Sequence, residues 1–96
     1  MDLLKVLESL GIEHKEAKVY LALLDLGETT ATKISEETAL DRTLMYQLTN
    51  KLIERGLVAY KIKENIRYFS AVEPEILLKN LQEKEQELRK ALPELK

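Results

Sequence analysis

The sequence contains no cysteine, one histidine and only three glycines among its 96 residues. The lack of cysteine excludes disulfide bonds, cysteine zinc sites and thiol redox chemistry. His14 alone cannot supply the three or four ligands of an ordinary metal site, and it is the one base available to a hydrolytic triad. The glycines are isolated rather than grouped in a phosphate-binding loop. We therefore expect no enzyme, no metal site and no cofactor.

Long apolar stretches are also missing. No run approaches the ~20 residues that cross a bilayer, and the N-terminal residues 1–5 lack the basic and apolar regions of a signal peptide. The composition is otherwise that of one globular domain, with 45% apolar and 33% charged residues. These features predict a cytoplasmic protein without a membrane partner.

The net charge of −2 conceals an uneven distribution of basic residues. Residues 1–40 carry four basic and eight acidic side chains, and residues 73–96 carry five and six. Residues 41–72 carry six basic and three acidic side chains, so all the positive excess lies in this central segment. An anionic partner is therefore expected to bind there.

Hydrophobic periodicity predicts four helices in the first 55 residues. Glycines stand at the predicted ends of three of them, where a left-handed residue is favoured. Thr30 and Asp41 are suitable N-caps for the third and fourth helices. The predicted spans are Asp2–Leu10, Lys15–Leu26, Ala31–Glu37 and a fourth helix from the Asp41 cap to Arg55.

Two alternating runs follow, and Glu64-Asn65 between them predicts a β-hairpin with a two-residue turn. In that register Ile62 opposes Arg67 and Tyr60 opposes Phe69, which separates an apolar from a polar face. The expected apolar face is Val58, Tyr60, Ile62, Phe69 and Ala71, and the polar face is Lys61, Lys63, Tyr68 and Ser70.

A fifth helix is predicted to begin at Glu73-Pro74-Glu75 and to end near Leu92, because Pro93 follows. Its leucines occupy a and d positions of a heptad pattern, with Glu85 at the intervening a position. This leucine stripe consists of Leu78, Leu81, Leu88 and Leu92. It could pack on its own domain or pair with the same helix of a second chain in a homodimer.

The order of these elements predicts a mostly α fold with a small β-hairpin. Residues 1–73 are predicted to form a winged helix-turn-helix domain, and residues 74–96 are predicted to form a C-terminal amphipathic dimerisation helix. In such domains the second helix of the turn motif enters the major groove of DNA, and the hairpin wing lies on the backbone or minor groove. The basic segment contains both of these elements, which favours DNA as the partner.

The outer face of the fourth helix carries side chains that suit base recognition. At 100° per residue a guanidinium, a hydroxyl, a phenol and two amides share the face opposite the core, and such groups read base edges. An ordinary solvated helix face is the alternative, although such faces more often carry Glu and Lys. The predicted DNA-contacting residues are Arg42, Thr43, Tyr46, Gln47, Asn50, Lys51, Lys61, Lys63 and Arg67.

The sequence resembles the TrmB family of archaeal transcriptional regulators. The resemblance is carried by residues 10–12, by the run Glu16-Ala17-Lys18-Val19-Tyr20, by Arg42-Thr43 with Tyr46, and by residues 56–58, 67–68 and 71–74. It implies a sequence-specific, dimeric regulator. Larger members append a sugar-binding effector domain, and because this chain ends where that domain would begin, no sugar effector is expected.

The sequence departs from the family pattern at a few positions. Ala39 stands where the family often has Gly in the turn, and Thr49 occupies a position that is usually apolar. Asp41 and Leu44 replace residues that are commonly basic or proline at the start of the recognition helix. These changes affect the expected turn geometry and the DNA target rather than the expected fold.

The sequence thus predicts a homodimeric transcriptional regulator that binds double-stranded DNA. The alternative is a winged-helix module that binds another protein, since a fold does not fix a function. The two hypotheses differ in their salt dependence, because DNA binding weakens steeply with salt and a hydrophobic protein interface does not.

Overall fold

The computed structural model describes residues 2–95, which form five helices and one antiparallel hairpin. The helices are α1 (Leu3–Ser9), α2 (His14–Leu26), α3 (Ala31–Thr38), α4 (Arg42–Glu54) and α5 (Pro74–Leu95), and the strands are β1 (Val58–Lys63) and β2 (Ile66–Ala71). The predicted mostly α fold with a hairpin is confirmed. The ends of α1–α4 lie within one residue of the predicted ones. Helices α1 and α4 begin one residue after Asp2 and Asp41, because these two residues are N-caps outside the helices.

Side-chain caps determine where three of these helices begin. The carboxylate of Asp2 accepts a hydrogen bond from the Leu4 amide, and that of Asp41 accepts from two amides at the start of α4. The Thr30 hydroxyl accepts from the Lys33 amide at the start of α3. Each cap satisfies a backbone donor that the first turn of a helix leaves without a partner.

The hydrophobic core is centred on α2. Tyr20 and Leu23 of α2 are buried against Ile34 of α3 and Leu52 of α4, and Phe69 of β2 completes the core from the hairpin side. Thr49, where the family usually has an apolar residue, is fully buried as well. Its hydroxyl lies 3.0 Å from the Met45 carbonyl oxygen and 3.1 Å from that of Tyr46, so its polar group is satisfied inside the core.

The hairpin is attached to the helices by a short third segment. Thr29 and Phe69 exchange two backbone hydrogen bonds of 2.7 and 2.9 Å, so β2 lies between β1 and the segment that precedes α3. The pairings Ile62–Arg67 and Tyr60–Phe69 confirm the predicted register. Glu64 and Asn65 both have positive φ, as a tight two-residue hairpin turn requires.

Tyr60 and Ile62 share the apolar face of the hairpin, as predicted, but the core does not bury them. They are 46% and 62% exposed, and Val58 is the one buried residue of β1. The strand leaves the core after Val58, so Tyr60 and Ile62 are not covered by the helices. The outer half of the hairpin therefore projects as a wing that is accessible on both faces.

The connection to α5 is fixed from two sides at Val72. Its amide donates to the Leu57 carbonyl oxygen at 2.9 Å, and its carbonyl oxygen accepts from the Tyr20 hydroxyl at 2.6 Å. Burial, with a smaller contribution from the negative charge of Glu73, raises the pKa of Tyr20 to about 12. The hydroxyl therefore remains a donor below that pH, and it ties the base of α5 to the core.

The prediction that α5 ends near Leu92 was also wrong, because the helix continues through Pro93 to Leu95. Pro93 lies in the last turn, where its missing amide removes a single intrahelical hydrogen bond at the end of the helix. The leucine stripe of α5 is between 46% and 58% exposed, and Leu77 is the residue of α5 that packs on the core. Among the described residues, then, the domain does not cover its own leucine stripe.

The turn between α3 and α4 contains an alanine in a left-handed conformation. Ala39 has φ 60° and ψ 23°, in the left-handed region, and so retains the turn that Gly would otherwise provide. A left-handed alanine costs roughly 1–2 kcal/mol because its Cβ crowds the backbone. The turn of the helix-turn-helix is thus formed at the expense of local strain.

We predict that Ala39→Gly raises the free energy of unfolding by about 0.5–1 kcal/mol, since relief of the strain exceeds the entropy that glycine adds to the unfolded chain. Urea denaturation followed by circular dichroism measures this change. Ala59→Gly is the matched control, because Ala59 lies in β1 without positive φ and should lose about 0.5–1 kcal/mol. Destabilisation by both substitutions would contradict the strain argument.

Candidate nucleic-acid interface

The turn at Ala39 presents α4 as an exposed helix with one polar face. Its buried side consists of Met45, Leu48, Thr49 and Leu52. The residues predicted for DNA contact on this helix, Arg42, Thr43, Tyr46, Gln47, Asn50 and Lys51, are all exposed. The structure therefore places the six on the solvent side of α4, as the periodicity of the sequence predicts.

Arg42 is held near the start of α4 by a residue of its own helix. One of its guanidinium nitrogens, Nη2, lies 3.5 Å from the Tyr46 hydroxyl, and its Cζ lies 6.0 Å from the centre of the Tyr46 ring. The two residues are four apart and hence neighbours on the helix surface. Tyr46 thus limits the orientation of the guanidinium, while Gln47 and Asn50 lie farther along the same helix.

The basic residues of the wing point to opposite faces of the hairpin. Arg67 pairs with Ile62 across the strands and stacks over the Tyr60 ring, with its Cζ 4.5 Å from the ring centre. Lys61 and Lys63 occupy the alternate positions of β1 and therefore face the other way. The three predicted contacts of the wing do not form one basic surface.

Lys61 has a carboxylate partner that sequence reasoning did not identify. Its Nζ lies 3.1 Å from Oε2 of Glu28, and both side chains are about half exposed. Glu28 comes close because the neighbouring Thr29 pairs with β2. Among the side chains of residues 2–93, which are those that the structure describes, no such ion pair is formed by Lys51, Lys63, Arg42 or Arg67, so their charges are available to an anionic partner.

One basic residue of the central segment serves the fold instead. Nε of Arg55, at the end of α4, lies 3.2 Å from Oε2 of the buried Glu16 of α2. The contact is an ion pair without hydrogen-bond geometry, and both Glu16 carboxylate oxygens lack hydrogen-bond partners among the described residues. Removing Arg55 would leave a buried charge uncompensated, which is strongly destabilising. The pair therefore links α2 to α4 and takes Arg55 out of the basic surface.

The structure adds two observations on residues 2–95. Among the described side chains, those of residues 2–93, no three or more His, Cys, Asp or Glu are grouped so that they could hold a metal ion. None of the helices in this range combines the length and the apolar character needed to cross a bilayer.

Helix-turn-helix, projecting wing and C-terminal helix together define a winged-helix protein. Residues 7–75 match the family model described as "Sugar-specific transcriptional regulator TrmB". The chain belongs to the TrmB family of transcriptional regulators, as the sequence resemblance predicts.

Two kinds of relative agree with this assignment. The HTH-type sugar sensing transcriptional regulator TrmBL1 of Pyrococcus furiosus is 31% identical over 82 residues, which is 85% of this chain and 24% of that protein. Among solved structures, the archaeal chromatin protein TrmBL2 matches 95% of this chain and 35% of its own, with a TM-score of 0.79 and 19% identity. A MarR family transcriptional regulator from Silicibacter pomeroyi matches 97% of this chain and 63% of its own, with a TM-score of 0.65 and 19% identity.

These similarities support different conclusions. At 19% identity the two structural matches show the winged-helix fold alone. The chain spans about a quarter of the length of TrmBL1, so what that whole protein senses is not transferred to this chain. The family match itself shows that the chain is related to transcriptional regulators.

The Lys61–Glu28 pair predicts that Glu28→Gln strengthens binding to random duplex DNA, because it releases Lys61 and removes a nearby negative charge. An exposed pair of this kind is worth at most about 1 kcal/mol, so we expect a gain of up to about fivefold at low salt that disappears at high salt. Fluorescence anisotropy across a salt series measures it. Glu83→Gln, an equal change of charge on α5, is the control, and equal gains in both variants would contradict a specific role of the pair.

Proposed function

We propose that the protein is a sequence-specific transcriptional regulator that binds double-stranded DNA as a homodimer. The observation that carries this proposal is the exposed face of α4, which presents Tyr46, Gln47 and Asn50 and lies beside a projecting wing. That face ends in Lys51 and includes no carboxylate at the predicted contact positions. A regulator of this kind acts in the cytoplasm, and the proposal includes no catalytic activity and no cofactor.

In the proposed complex α4 lies in the major groove. Gln47 and Asn50 carry amides that can donate to and accept from one adenine edge at the same time, which gives sequence discrimination. Thr43, Tyr46 and Lys51 border these two residues and would contact the sugar-phosphate backbone or base edges. The wing would lie along the backbone or the minor groove, with Lys61 and Lys63 towards phosphates.

Selection of bound sequences from random duplex DNA tests the proposal. We expect one enriched operator with two inverted half-sites, and an affinity for it that falls steeply with salt. A protein-binding winged helix would enrich no sequence and would bind duplex DNA weakly or not at all. That outcome would favour the alternative function, a module that contacts another protein.

The exposed leucine stripe of α5 supports the dimer. Most helical stability in proteins comes from burying an apolar face, and α5 exposes its own. The stripe is uncovered within the described residues, so a second copy of α5 is the partner we propose for it. Two copies would also place two recognition helices on one operator and double the number of base pairs read.

We predict that Gln47→Ala or Asn50→Ala costs roughly 1–3 kcal/mol of binding free energy on the selected operator and clearly less on random duplex DNA. The lost base contacts carry sequence information, whereas random DNA is bound mainly through phosphates. Anisotropy titrations on both duplexes measure the difference. Lys51→Ala is the matched control from the same helix, with similar losses expected on both duplexes. If the amide variants behave like it, the two amides do not read bases.

We predict that Leu81→Asp combined with Leu88→Asp yields a monomer that keeps its circular dichroism spectrum for the winged domain and loses operator binding. Charged groups in the stripe would face each other across the interface and remain desolvated. Light scattering at micromolar concentration measures the mass. Lys79→Gln with Lys90→Gln lowers the net charge by the same amount on the exposed side of α5 opposite the stripe and should stay dimeric. A monomeric wild-type chain, without and with DNA, would rule out the dimer.

A further inference from the structure

We propose that Arg42 of α4 and Arg67 of the wing together hold one phosphate of the DNA backbone in the cleft between them. This inference rests on the proposed DNA-binding function, and it names the two residues that would bind one backbone phosphate and the cleft in which they would bind it. It also changes the expectation for Arg42, which becomes a backbone contact that positions α4 rather than a reader of base edges.

The cleft lies where three elements meet. The first turn of α3 contributes Thr32, the first turn of α4 contributes Arg42, and the hairpin tip contributes Asn65 and Arg67. Its volume is about 350 Å³, enough for a phosphate group and parts of the adjoining sugars. Gln47 and Asn50 are not among its lining residues, so the cleft is separate from the amides proposed to read bases.

The charges in the cleft are of one sign. Two guanidinium groups line it and no carboxylate does, and neither arginine has an ion-pair partner among the described side chains of residues 2–93. Thr32 adds a hydroxyl and Asn65 an amide, both of which can donate to an oxygen anion. A concave surface with two unneutralised guanidiniums and further neutral donors suits a phosphate, which arginine binds through parallel N–H···O bonds.

Each arginine is restrained by a tyrosine of its own element. Tyr46 holds Arg42 through its hydroxyl and ring, and Tyr60 lies under Arg67 at 4.5 Å. Restraint before binding lowers the side-chain entropy lost when the complex forms. It also explains why Tyr60 remains on the wing although it is nearly half exposed, since its ring supports a guanidinium instead of filling the core.

A phosphate held from both sides would fix the wing relative to α4. The two arginines come from elements that are separated by β1 in the chain, so a single bound group would bridge them. Backbone contacts of this type set the register of a recognition helix on the duplex. The cleft would then determine how α4 enters the groove, while the amides farther along the helix determine which bases it accepts.

The test uses the full chain and its selected operator, in which single backbone phosphates are replaced one at a time by uncharged methylphosphonates. We expect one position in each half-site at which replacement weakens wild-type binding by about tenfold, the usual scale for a hydrogen bond to a charged group. Arg42→Ala and Arg67→Ala should each become insensitive at that same position. Lys63→Ala, on the opposite face of the wing, should remain sensitive there. Circular dichroism checks that each variant is folded.

The alternatives give separate results. If the two arginine variants lose sensitivity at different phosphates, or at none, while the wild-type chain still binds its operator, the shared site is wrong and the proposed function stands. If no operator can be selected, the proposed function fails, and this inference fails with it. Submillimolar binding of inorganic phosphate that Arg42→Ala and Arg67→Ala both abolish, without any methylphosphonate effect, would assign the cleft to a free anion instead and overturn the inference.

A second variant pair tests the role of the supporting tyrosine. Tyr60→Phe keeps the aromatic ring under Arg67 and should preserve the methylphosphonate pattern. Tyr60→Leu removes the ring and should reduce the sensitivity at the same phosphate severalfold without changing the sequence selected. Equal patterns in the two variants would show that Arg67 is not oriented by the ring, and they would contradict the preorganised site proposed here.

Discussion

The position of the wing depends on the burial of Phe69. Its side chain is fully buried in the core, and its backbone exchanges two hydrogen bonds with Thr29 just before α3. These contacts fix β2 against the helix-turn-helix, and β1 follows because it pairs with β2. The distance between the wing and the start of α4, the Lys61–Glu28 pair and the cleft at the hairpin tip all depend on this one attachment.

The run of residues that best identifies the family, residues 16–20, stabilises the core rather than contacting DNA. In Glu16-Ala17-Lys18-Val19-Tyr20, every residue except Lys18 is buried. Glu16 pairs with Arg55, and Tyr20 holds the carbonyl of Val72. The run is therefore a signature of how α2 joins α4 and α5, whereas the proposed target preference lies in exposed residues of α4 that the run does not contact.

Local patterns were sufficient to predict the elements, the faces and the hairpin register. Asp41 caps α4 as expected, and the buried residues of α4 recur with helical spacing, so the exposed face could be predicted residue by residue. The alternation of β1 and β2 around Glu64-Asn65 gave the observed pairing. Such features depend on neighbours within a few positions, which is why the sequence alone reveals them.

The remaining features depend on residues that are distant in sequence. Nothing local indicates that β1 leaves the core after Val58, or that the apolar side chains of Tyr60 and Ile62 are exposed. The approach of Glu28 to Lys61 arises from the pairing of Thr29 with β2, which periodicity does not encode. Pro93 shows the opposite case, a strong local signal whose effect is small because it falls in the last turn of the helix.

Because α5 is attached to the core at Val72, a small change of angle there moves the far end of the helix by a large distance. The helix has 22 residues, a length of roughly 33 Å, and the two hydrogen bonds that fix its base meet at a single residue. A rotation of about 10° at that joint would move the far end by about 6 Å, close to the pitch of one helical turn. In the proposed dimer, the angle at Val72 would therefore govern how far apart the two DNA-reading surfaces are held.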